Sequence, residues 1–152
     1  MKVNKALGFA VALAFSATLM CASAYAATYS AGAVTADAGS TVTVPVVVTP
    51  DAGEAEELVN GYVMTLTYDP TEAKPVAIAD AVDSVYATAG ADFTDGILVS
   101  DVISTSQNQE TLVVAWAAAQ PVTVTQATNL ATVDFAVDSS ASADIPVTVA
   151  VT

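Results

Sequence analysis

"GYVMTLTYDP", residues Gly61 to Pro70, decides how this chain is read. In an extended strand, Tyr62, Met64, Leu66 and Tyr68 fall on one face, and Val63, Thr65 and Thr67 on the other. Asp69-Pro70 stops the strand, because proline has no amide donor for a ladder and favours a turn. The even-numbered face carries the large groups of a core. The odd-numbered face is smooth and uncharged, which raises the question of what it touches.

The same question returns further along. In "TLVVAWAA", Thr111 to Ala118, Leu112, Val114 and Trp116 share one face while Val113, Ala115 and Ala117 share the other. Both faces are apolar, so this strand is either covered on both sides or carries an exposed sticky patch. In "TVTVPVVV", Thr41 to Val48, Pro45 interrupts an otherwise strong strand and marks an edge, a bulge or a crossing between sheets. Short alternating runs separated by turn signals predict strands over 29–35, 41–49, 61–68, 75–82, 96–103, 111–118, 129–137 and 145–151. Turns are expected at Asp37 to Ser40 and at Ser139 to Asp144, and a helical turn within Asp51 to Leu58. This is the pattern of an all-β sandwich.

Residues 1–26 have the form of a secretory signal peptide. Lys2 and Lys5 precede a run, Ala6 to Leu19, that is small or apolar apart from Ser16 and Thr18, and Ala24-Tyr25-Ala26 supplies a cleavage site. A retained membrane anchor and a lipidated start at Cys21 are the rival readings. Cleavage between Ala26 and Ala27 leaves one domain, residues 27–152, with no cysteine and therefore no disulfide or thiol nucleophile. The chain has no histidine or arginine. All sixteen acids lie beyond Ala26 against Lys74 alone, a net charge of −15. Nucleic acid and anionic lipid are excluded as partners, since both need cations on the protein. No membrane insertion is expected after cleavage.

"AGSTVTVPVVV", "GYVMTLTYDP", "GILVSD", "LVVAWAA" and "LATVDFAV" together resemble the cohesin domain of cellulosome scaffolding proteins, over roughly Thr28 to Val151. The same sandwich occurs in some cellulose-binding modules. The resemblance implies a jelly-roll-like β-sandwich, of which eight strands are visible here and a ninth, expected at the C-terminus, is missing. It also implies that a calcium-loaded dockerin docks on one flat sheet, built from the third, fifth, sixth and eighth strands. Carried over by position, the outward, partner-binding residues are Val63, Thr65, Ile97, Val99, Val113 and Ala115. Many cohesins place a short polar residue and an aspartate where this chain has Gly61 and Val63.

An enzyme is not expected: acids such as Asp92, Asp95, Glu54 and Glu57 could form a glycosidase pair, but Lys74 is the only cation left to orient a substrate. No catalytic residue, no metal site and no cofactor of the chain's own is expected, calcium belonging to the dockerin. "DFTDG" and "DAGEAEE" lack the spacing of a calcium loop. The reading is a secreted, non-catalytic protein-docking module at the cell surface or in extracellular polysaccharide degradation. The alternatives are a carbohydrate-binding module and a surface-structural or adhesive domain. For stacking on sugars, four of seven aromatics beyond residue 26 are in core phase, which leaves Tyr29, Tyr86 and Phe93. Export is directly testable: N-terminal sequencing of secreted material should read Ala-Thr-Tyr-Ser, and a species retaining Cys21 would contradict it.

Overall fold

The computed structural model describes residues 10–11, 27–31, 34–53, 55–78, 85–106, 109–140 and 148–151. Eleven strand segments run in chain order: β1 (Ala10–Val11), β2 (Ala27–Ala31), β3 (Val34–Thr35), β4 (Thr41–Pro50), β5 (Glu57–Tyr68), β6 (Ala73–Pro75), β7 (Ala87–Ala89), β8 (Ile97–Ser106), β9 (Gln109–Val124), β10 (Thr128–Val137) and β11 (Thr148–Val151). Two antiparallel sheets hold nearly all of them. One has the order β2-β4-β10-β6, with β7 also paired to β10, and the other has the order β11-β5-β9-β8. A two-residue pairing joins β1 to β3. The rest of the expected signal segment lies outside the described residues. Among the described residues no helix is long and apolar enough to cross a membrane.

The inner faces of the two sheets meet in one core. Tyr62, Met64, Leu66 and Tyr68 of β5 and Leu112, Val114 and Trp116 of β9 are buried against Val44, Val46 and Val48 of β4 and Val133, Phe135 and Val137 of β10. The alternation expected over 61–68 and 111–118 therefore sets the inward phase of both strands. On β10 a register shift between Asn129 and Ala131 turns Leu130 and Ala131 inward together, so both are buried. In β4, Pro45 lies opposite Thr132 of β10, and among the described residues the pairing with β2 covers Val46 to Pro50.

Aromatic rings lock the two sheets together at one end of the core. The Tyr62 and Trp116 rings stack at 5.6 Å, and Phe93, on the 3₁₀ turn Ala91–Phe93, meets them edge-on at 6.2 and 5.1 Å. Each polar handle is satisfied. The Trp116 indole N–H donates to the Phe93 carbonyl at 2.8 Å, and the Tyr62 hydroxyl donates to the Leu130 carbonyl at 3.1 Å. Burial pushes the Tyr62 hydroxyl well above its usual range; at Tyr68 burial does the same, aided by its hydrogen bond to Glu110. Both stay neutral donors. A Cβ at Gly96 would stand 2.2 Å from the Trp116 indole nitrogen, and one at Gly90 would stand 1.8 Å from the Asn129 carbonyl oxygen. Only glycine lets the backbone come that close.

Several expectations need correcting. The strand expected over 75–82 is instead the short β6, Ala73–Pro75; residues 76–78 are not in a strand, and 79–82 lie outside the described residues. The chain rejoins the same neighbour as β7, which was not anticipated: β6 pairs with Phe135 to Val137 and β7 with Ala131 to Val133 of β10. Among the described residues after Asp51 leading into β5 none is helical; Gly53 takes a φ of 109° and β5 begins at Glu57. The turn at Asp37 to Ser40 forms as expected, with Gly39 at a φ of 79° and the Ser40 amide donating to the Asp37 carbonyl at 3.0 Å. Residues 141–144 of the last turn and 145–147 of the last strand lie outside the described residues.

The close contacts make a stability prediction. Gly90→Ala meets rigid backbone and should destabilise by about 1–3 kcal/mol, as overpacking does. Trp116→Ala should cost about 3–5 kcal/mol. Denaturant melts of both variants decide this; wild-type stability in Gly90→Ala would show that the turn before Phe93 is not held against β10.

Candidate docking face

The sheet β11-β5-β9-β8 contains the third, fifth, sixth and eighth of the expected strands, with β9 between β5 and β8. Cross-strand pairing then settles which outward residues are neighbours. Val63 lies opposite Ala115, and Ala115 opposite Val99; Thr65 lies opposite Val113, and Val113 opposite Asp101. Gly61, Ala117 and Ile97 form the row on one side, and Thr67, Thr111 and Ile103 the row on the other. Directly opposed side chains sit about 4.5–5.5 Å apart, so each row is a continuous surface. All six residues expected to bind a partner are thus brought onto one face.

That face is apolar and open. Ile97, Val99 and Ile103 are each at least half exposed, and Val63 is 41% exposed. Thr65, Val113 and Ala115 are half-buried. Seven large apolar side chains are exposed among the described residues, and five of them, Leu58 included, belong to β5 and β8. Leu58 joins the face through a bulge. Val59 pairs with Val122 but Gly61 pairs with Ala117, so β9 carries extra residues, including Pro121, opposite Asn60. The shift buries Val59 and turns Leu58 outward beside Thr123.

The outer face of the other sheet shows how this chain builds a surface meant for water. Thr41 and Thr43 of β4, Lys74 of β6, Thr88 of β7 and Asp134 of β10 are exposed there. Thr43 donates its hydroxyl across the strands to Asp134. The exposed outward positions on that sheet are mostly polar, whereas the outward positions on β5, β9 and β8 are mostly valine, isoleucine and alanine, with Thr65, Thr67, Thr111 and Asp101 among them. The contrast marks the apolar face as the candidate site.

Leu58, Asp101 and Ile103 were not placed on the face by sequence reasoning, and Ala117 was placed there without being named as partner-binding. Period-two alternation would place Ile103 and Ala117 with Val99 and Ala115. Leu58 was hidden by the bulge, which reverses the phase. Asp101 alternates with Val99 but reads as a solvent residue until its cross-strand partner Val113 is known.

Two other expectations are corrected by burial. Phe93, held in reserve as an outward aromatic, is fully buried in the ring cluster. Tyr29 and Tyr86 are half-buried and packed against the core. No exposed ring remains among the seven aromatics beyond residue 26, all of which are described. Nor do the acids converge. Two open surface hollows, of about 440 and 430 Å³, each carry one carboxylate, Asp138 in the first and Asp92 in the second. Among the described residues no three acids group to hold a metal ion.

A family model described as the cohesin domain matches residues 27–152. No curated protein matches the chain. Among solved structures, the sixth cohesin of scaffoldin B from Acetivibrio cellulolyticus, crystallised with a mutant Cel5 dockerin, is 18% identical with a TM-score of 0.50, covering 76% of this chain and 74% of that one. A type II cohesin domain from the cellulosome of the same organism is 20% identical with a TM-score of 0.48, over 75% of this chain and 68% of that one. The solution structure of a Clostridium acetobutylicum cohesin, CaCohA2, is 20% identical with a TM-score of 0.46, over 76% and 67%.

The face can be separated from the core by paired variants. Val113→Asp and Ala115→Asp should cost about 1 kcal/mol, the range of strand propensity, whereas Leu112→Ala one residue away should cost about 2–5 kcal/mol. Thermal melts compare them, and aspartate variants that unfold as badly as Leu112→Ala would mean that the face is covered.

Proposed function

This chain belongs to the cohesin domain family, and from that premise we propose that it is a docking module for a dockerin-type protein, received on the outward face of β5, β9 and β8. Cohesin domains are non-catalytic docking modules, and the chain is not an enzyme. The observation that carries the reading is the register of β8 on β9 and β9 on β5, which assembles Val99, Ala115 and Val63 into one exposed apolar row. A contiguous exposed apolar patch of this kind is a mark of a protein-interaction surface.

The dockerin in the Acetivibrio complex supports the choice of partner class. Gly61 and Val63 offer no side-chain hydrogen bond, so affinity here rests on apolar contact across the rows rather than on a polar clamp from β5. The domain acts outside the cell after removal of residues 1–26, in an extracellular or cell-surface assembly that degrades polysaccharide. Sugar binding by the domain itself is disfavoured by one feature: all seven aromatics beyond residue 26 are at least partly buried, so none offers an open ring to a pyranose.

Isothermal titration against a panel of calcium-loaded dockerins should find at least one binder, and chelation of calcium should abolish that binding. Val113→Asp should weaken it by about 2 kcal/mol or more, roughly 30-fold, while the fold stays intact. Retention on cellulose or xylan with no dockerin bound would favour the carbohydrate-binding alternative.

A further inference from the structure

Among the described outward residues of β5, β9 and β8, Asp101 alone is charged. It is exposed on β8 between Val99 and Ile103 and lies opposite Val113 of β9. One carboxylate oxygen, Oδ1, accepts from the Val102 amide at 2.8 Å. Among the described residues none is seen donating to the other oxygen, Oδ2. β8 is also the last strand of its sheet, a position that invites pairing with another chain.

We infer that Asp101 decides what this face accepts: it rejects a second copy of the chain and reserves the face for a partner that brings a cation. The inference rests on the docking reading above. Its physical basis is the cost of covering a carboxylate. A partner laid across the rows removes water from Oδ2, and an unpaired buried charge is expensive unless a donor replaces that water. A second copy brings no cation to this face, only neutral donors such as the threonine hydroxyls of β5 and β9. Its three lysines are Lys2 and Lys5, in the segment expected to be cleaved, and Lys74, on the opposite sheet. Two copies meeting through this face would also bring two Asp101 carboxylates into one dry interface, between chains that are both strongly acidic. A basic partner meets neither penalty, and the same charge steers its approach. Removing the carboxylate would leave Ile97, Val99, residue 101 and Ile103 as an unbroken apolar edge strand, open to pairing and to burial against itself.

Sedimentation velocity on residues 27–152, from micromolar to near-millimolar concentration, is the test. The wild-type chain should stay monomeric and Asp101→Val should form a concentration-dependent dimer, with self-association strengthened about tenfold or more. Val63→Asp added to Asp101→Val should restore the monomer, which shows that the dimer uses this face. Asp101→Val that remains monomeric throughout overturns the inference, as does a dimer unaffected by Val63→Asp. With a calcium-loaded dockerin as probe, Asp101→Asn should weaken binding about tenfold and flatten its salt dependence. An unchanged affinity and salt slope would refute the cation requirement. If no dockerin binds the wild-type chain, the docking reading fails, and the sedimentation result still decides the role of Asp101.

Discussion

The stacked pair of Tyr62 and Trp116, capped edge-on by Phe93, is the constraint on which the sheet surface depends. Two large rings can be buried on neighbouring strands in only one phase. Once they are inside, period-two geometry sends Val63, Val113 and Ala115 outward. The polar atoms of the cluster reinforce the choice. The Trp116 indole N–H is held by the Phe93 carbonyl and the Tyr62 hydroxyl by the Leu130 carbonyl of the other sheet. A one-residue slip would lose both bonds, strand two buried polar groups, and turn the apolar row into the core. Gly96 and Gly90 serve this arrangement by letting backbone approach the indole and β10.

The two outer faces of the sandwich obey different rules. On the β4-β10 side, threonines, Lys74 and Asp134 meet water, and Thr43 bonds Asp134 across the sheet. On the β5-β9-β8 side, alanine, valine and isoleucine meet water instead, at the ordinary cost of exposed apolar area. A chain this acidic has no shortage of residues for keeping a surface soluble. Among the described outward residues, charge on the apolar side is restricted to Asp101, which on our proposal leaves the patch open to a partner and guarded against a second copy.

Much of the fold was legible in the sequence, because alternation in "GYVMTLTYDP" and "LVVAWAA" carries strand, phase and core at once. Tyr62, Met64, Leu112 and Trp116 could be assigned to the interior from spacing alone. Strand adjacency was not legible this way; it came from the family resemblance, and the register of β8 on β9 bears it out. Three features escaped for physical reasons. Phe93 sits in a turn, where burial depends on what topology places over it rather than on any local period. β6 and β7 are three-residue contacts with β10, too short to show alternation. The bulge opposite Asn60 carries β9 on to Val124 and reverses the phase of Leu58, so a fixed period misplaces that residue.

The central claim is that the outward face of β5, β9 and β8 receives a protein partner. Amide-resolved NMR on labelled residues 27–152, titrated with a calcium-loaded dockerin, tests it most directly. The account predicts that shift changes concentrate at Val63, Thr65, Ile97, Val99, Val113 and Ala115 and leave Thr43, Thr88 and Asp134 unmoved. Perturbations centred on the β4-β10 face, with the β9 row silent, would contradict it.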